Sequence, residues 1–139
     1  ILELQRAQES HADRCPRERF ATMIRIYVQY AARHPALHKI VLQESSYQSD
    51  RLEWLSENFL NPLADAASRY IGELQEQGVA PAGDPIIIYN MIRVSSGTLI
   101  ALALELKSTS GLDIENEEKL EELADLIVRV FLPGEVARN

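Results

Sequence analysis

The sequence has little with which to cross-link itself, grip a polyanion or turn a hairpin. Its single cysteine, Cys15, cannot close an internal disulfide, which favours a reducing, cytoplasmic compartment. Cys15 precedes Pro16 and has no CxxC or histidine-rich neighbourhood, so no reactive thiol is expected. Basic residues are in deficit, with 14 Lys and Arg against 21 Asp and Glu and a formal net charge of −7. Affinity for a phosphate backbone comes from clustered cations, so this chain alone should not bind DNA. The six glycines are scattered and build no phosphate-binding loop. There is no strict apolar alternation and no Asn-Gly or Asp-Gly pair, which removes the usual signals of strands and hairpins. No signal peptide is expected from the residues at the start of the chain. Ile1-Leu2-Glu3-Leu4 already reads as the middle of a helix, as expected of a domain cut from a longer protein.

What is present is helical periodicity, over a length of 139 residues and with 46% hydrophobic content. That suits one domain around one core. The pattern predicts an all-α fold of about six helices. The first, from Ile1 to about Ala12, is mostly polar and reads as a linking helix within residues 1–16. Pro16 opens the second at about Arg17, with Phe20, Met23, Ile24, Tyr27 and Ala31 on one stripe and Ile26 and Tyr30 on its edge. It ends at His34-Pro35. A short third helix follows Pro35, with Leu37, Ile40 and Val41 predicted to face inward, until Ser45-Ser46. Ser49 or Asp50 caps a long fourth helix that reaches Gly78. Leu52, Leu55, Phe59, Leu63, Ala67, Tyr70 and Leu74 form its ridge, and Pro62 within it predicts a kink near Asn58 to Pro62. Asp84-Pro85 starts the fifth helix, which ends within Ser108 to Gly111. The sixth spans about Asn116 to Leu132, with Leu120, Leu123, Ala124, Ile127, Val130 and Phe131 inward and its acidic first half on solvent.

The fifth segment, PIIIYNMIRVSSGTLIALALEL (85–106), is apolar on every side. Its longest charge-free run, Val94 to Leu104, is eleven residues, against the roughly 20 needed to span a bilayer. A membrane span is therefore not expected, and the segment must bury more than one face inside protein. Ser96, Gly97, Ile100 and Leu104 lie along one stripe whose small residues permit close helix approach. The last helix has spare apolar positions as well. Together they suggest a four-helix contact with a second copy, two helices from each. The alternative is that the N-terminal helices wrap both sides.

Enzymatic signals are poor. His34 and His38 have the spacing of two metal ligands on one helical face, but Pro35 interrupts the helix between them. No GxSxG elbow and no HExxH motif is present. The chain therefore reads as a non-enzyme without metal or cofactor. Binding signals are better. Met23, Tyr27 and Tyr30 on the second helix, Trp54 and Phe59 on the fourth, and Met91, Ser95 and Thr98 on the fifth combine apolar surface with a few polar points. That mixture suits a small-molecule site in a helical bundle, although each residue is also an ordinary core residue.

One longer pattern runs through these pieces. YVQYAARHPALHKIVLQESSYQSDRLEWL (Tyr27 to Leu55), EQGVAPAGDP (Glu76 to Pro85) and LADLIVRVFLPG (Leu123 to Gly134) together resemble the C-terminal regulatory domain of TetR-family transcriptional repressors. The matching features are His34-Pro35, Gln43-Glu44, Arg51 with Glu53-Trp54-Leu55, Pro62, Gly78 and Leu132-Pro133-Gly134, spanning about Arg17 to Gly134. The resemblance implies a single effector-binding and homodimerising domain over residues 1–139, with a small apolar or aromatic effector in its helical core. It also implies that the last two long helices form the dimer's four-helix bundle. The contact residues expected on those helices are Tyr89, Arg93, Ser96, Gly97, Ile100 and Leu104 on one and Leu120, Ala124, Ile127, Val128 and Phe131 on the other. Operator DNA would be bound through an N-terminal helix-turn-helix domain that this chain lacks. The competing reading is a stand-alone helical interaction or scaffold protein without a ligand site.

Overall fold

The computed structural model describes Arg6 and residues 14–133. The predicted first helix lies outside the described residues, Arg6 apart. Among the described residues there are six helices and no strand. They are α1 (Pro16–Arg33), α2 (Pro35–Glu44), α3 (50–76), α4 (Pro85–Ala101), α5 (Ala103–Ser110) and α6 (Glu117–Phe131). Two of them are interrupted by a π turn, Ser56–Leu60 in α3 and Val94–Thr98 in α4.

The helix starts follow local chemistry. Prolines stand at the first turn of α1, α2 and α4, where the missing N–H would have had no partner in any case. The Leu52 amide donates to Ser49 Oγ at 3.1 Å, so Ser49 rather than Asp50 caps α3. The Ile86 amide donates to Asp84 Oδ1 at 2.9 Å. Asn116 Oδ1 accepts from the amides of Glu118 and Lys119 at 3.0 and 3.3 Å. Each such cap contributes about 1 kcal/mol. Gly111, at φ 70°, ends α5 in the left-handed region that glycine enters without a Cβ penalty.

Pro62 lies just after the first π turn. The wider turn accommodates the carbonyls that a proline nitrogen leaves unbonded. The apolar segment departs more strongly from expectation. It is two helices, broken at Leu102 (φ −91°, ψ 15°) and bent there by 75°. Neither half is long and apolar enough to cross a membrane, and no other single helix among the described residues is.

The core joins α1 to α6. Phe20, Ile24, Val28 and Ala31 of α1 are buried in one cluster with Leu120, Ala124, Ile127, Val128 and Phe131 of α6. Ile71 and Leu74 of α3 and Ile88, Ile92 and Ile100 of α4 complete it. Polar contacts pin the edges of the α1–α6 pair: the Arg17 guanidinium donates to the Leu132 carbonyl, and Arg25 pairs with Asp125. Val130, predicted inward, is 64% exposed, and Val128 takes the inward place.

α2 also departs from expectation, because it buries no residue and leaves Leu37 and Ile40 exposed. It rests on α4 through His38, whose imidazole lies against Gly97. The Arg51–Glu44 ion pair, 3.1 Å, ties it to the start of α3.

Candidate ligand cavity

The amphipathic stripe of α1 does two jobs. Phe20 and Ile24 close the core, and with Met23 and Tyr27 they also form one wall of a cavity. The second wall is the part of α3 that follows Pro62, namely Leu63, Ala66, Ala67, Tyr70 and Ile71. Alanines at 66 and 67 leave room where larger side chains would meet α1. The third wall is α4 before its π turn, with Tyr89, Ile92 and Arg93. The volume is ≈ 310 Å³, at the small end of the range of small-molecule sites.

The lining is apolar except for three phenols and one guanidinium. Burial raises the pKa of the Tyr27 hydroxyl, the neighbouring Tyr89 adds to the rise, and Arg93 opposes it. Tyr89 is likewise raised by burial and opposed by Arg93. Both hydroxyls therefore remain protonated hydrogen-bond donors across the physiological range. Tyr70, edge-on to Phe20 at 6.1 Å between centroids, is also raised by burial, and its hydroxyl is buried with no partner among the described residues. Arg93 Nε donates to Asn90 Oδ1 at 3.1 Å.

Of the residues expected to bind ligand, the structure brings together Met23 and Tyr27 only. Tyr30 lies outside the cavity, its ring 4.5 Å from that of His34. Trp54 and Phe59 pair edge-on at 5.4 Å on the exposed surface, because the ridge of α3 turns inward only after Pro62. Trp54 edges a shallow groove with Ile40 and Leu55 instead. Met91 is 51% exposed, on the flank of α4 beside the buried Ile88 and Ile92, and does not line the cavity. Ser95 and Thr98 fall in the π turn beyond the cavity, with Ser95 Oγ donating to the Met91 carbonyl at 2.7 Å.

The residues expected at a dimer contact are placed differently as well. Tyr89 and Arg93 line the cavity. Ser96, Gly97 and Ile100 are buried within the chain, and Ser96 Oγ satisfies itself on the Ile92 carbonyl at 2.6 Å. Leu120, Ala124, Ile127, Val128 and Phe131 are buried against α1. Leu104 is carried away by the bend at Leu102 and is 80% exposed. The apolar side chains that α4 and α6 do leave exposed are Ile86, Ile87, Met91 and Val94 on one and Leu126 and Val130 on the other.

Sequence reasoning missed most of α3's share of the cavity. The available signal was the run of small residues at 64, 66 and 67 inside an otherwise large-residue ridge. His38 is partly buried, its pKa lowered first by burial and then by Arg93 and His34. No group of three or more His, Cys, Asp or Glu side chains among the described residues is arranged to hold a metal ion. No protein-family model and no curated protein matches the sequence.

Proposed function

We propose that this chain is the effector-binding, homodimerising domain of a TetR-like transcriptional regulator, a repressor whose operator contacts are made by a helix-turn-helix domain outside it. The cavity between α1, α3 and α4 carries the reading. It is walled by three helices, mostly apolar, and carries a few polar groups, as a small-molecule site requires. The resemblance over about Arg17 to Gly134 supports the same reading.

The exposed apolar residues of α4 and α6 supply the proposed four-helix contact with a second copy. Ile87, Met91 and Val94 on α4 and Leu126 and Val130 on α6 take the role that the sequence had suggested for the stripe through Gly97. The effector acts by binding one dimer arrangement better than another, and shifts the balance only by that difference in affinity.

Two measurements test the reading. The codons upstream of Ile1 should encode a basic helix-turn-helix, and a start codon directly before Ile1 would overturn it. Light scattering should give twice the 15.7 kDa of the chain; a monomer at micromolar concentration would remove the dimer.

A further inference from the structure

Arg93 is the single charged residue lining the cavity. It is partly buried, and its one side-chain bond is the Nε contact with Asn90 on its own helix. No carboxylate pairs with it among the described residues. Arg93 has no terminal nitrogen among the buried, unpartnered side-chain atoms, so its guanidinium is a cation at an apolar wall that no carboxylate of the described residues already occupies. Its two terminal amino groups remain for an end-on pair with an incoming anion.

From this geometry we infer that the cavity takes a singly charged apolar carboxylate, its body between Met23, Leu63 and Ile71 and its headgroup on Arg93, flanked by Tyr27 and Tyr89. The inference rests on the cavity being the effector site and names the class of effector. The two phenols are donors as well, kept protonated by burial, so every polar group at that end favours an acceptor-only head. One guanidinium balances one negative charge, and the lining offers no second cation for a doubly charged head. The absence of Asp and Glu from the lining leaves no carboxylate to pair with a cationic ligand.

Three probes with one hydrocarbon chain and different heads test this: decanoate, decanol and decylamine, each titrated calorimetrically into the chain near neutral pH. Decanoate should bind about tenfold or more tighter than decanol, as charge-assisted hydrogen bonds allow, and decylamine should bind weakest. Arg93→Gln should remove that advantage while changing decanol affinity far less than decanoate affinity, and Arg93→Lys should restore part of it. Equal binding of the three heads, or decanoate binding indifferent to Arg93→Gln in a folded variant, would overturn the assignment, as would failure of all three to bind. Should Arg93→Gln not fold, the headgroup series on the unaltered chain decides alone. None of these outcomes changes the upstream codons or the mass of the dimer, so the ligand class and the regulator reading fail separately.

Discussion

The imidazole of His38 occupies the space that a side chain at position 97 would need. A Cβ built on Gly97 would stand 3.0 Å from His38 Cγ and closer still to Nδ1 and Cε1. This contact is one by which α2 sits on α4, which it meets at the π turn and the turn that follows, without burying any residue of its own. Gly97→Ala should therefore destabilise the chain by about 1–3 kcal/mol through overpacking, read as a lower urea midpoint. His38→Ala should relieve the clash, so the double variant should be less destabilised than the two single losses summed. Additive losses would show that the imidazole moves aside freely.

The same imidazole makes stability depend on pH. Burial, with Arg93 and His34 nearby, lowers the His38 pKa below 6.5 in the folded state. The unfolded chain then binds the proton more readily, so stability at this site is full above about pH 6.5 and falls as pH drops toward the lower folded value. Urea midpoints at pH 7.5 and 5.5 should separate further for the unaltered chain than for His38→Gln. Equal separations would assign any acid sensitivity to other groups.

Filling the cavity should separate ligand binding from folding. Ala67→Phe places a ring where the alanine leaves room between α1 and α3. The variant should stay folded with helical circular dichroism, and a compound that raises the melting temperature of the unaltered chain should no longer do so. A retained shift would place the binding site elsewhere.

Dimerisation should respond to the outer faces of α4 and α6. Val94 and Leu126 are 49% and 47% exposed in the single chain, so a charge at either costs the monomer little. Val94→Glu and Leu126→Glu should each weaken self-association by about tenfold or more, because every pair of copies would bury two like charges. Sedimentation across a concentration series reads this directly, and unchanged association would move the contact off these helices.

Much of the fold was legible because it is written in short-range chemistry. Prolines at the starts of α1, α2 and α4 and the caps Ser49, Asp84 and Asn116 act within one helical turn. The alternation of Phe20, Ile24 and Ala31 with polar neighbours likewise gave the inner face of α1. The 85–106 segment was harder, because a helix apolar on all sides carries no label for its inner face. Only packing decides that Gly97 meets His38 while Met91 meets solvent. The break at Leu102 has neither glycine nor proline to announce it. Phe59 misled for a related reason: it continues the ridge of Leu63 and Tyr70 by spacing, but the π turn at 56–60 intervenes.

The π turn at Val94–Thr98 holds one residue more than a regular α turn. Ile88 and Ile92 before it and Ser96, Gly97 and Ile100 after it are all buried, so the surplus residue is absorbed without turning either set outward. A chain shortened by one residue inside the turn would relax to an ordinary helix with both sets still aligned. The same deletion one turn earlier, at about residue 90, would rotate the start of α4 by about 100°, carrying Ile88 toward solvent and Tyr89 out of the cavity wall. Within α4, tolerance to a lost residue is thus concentrated at one place, and helicity and urea midpoints of the two deletion variants would locate it.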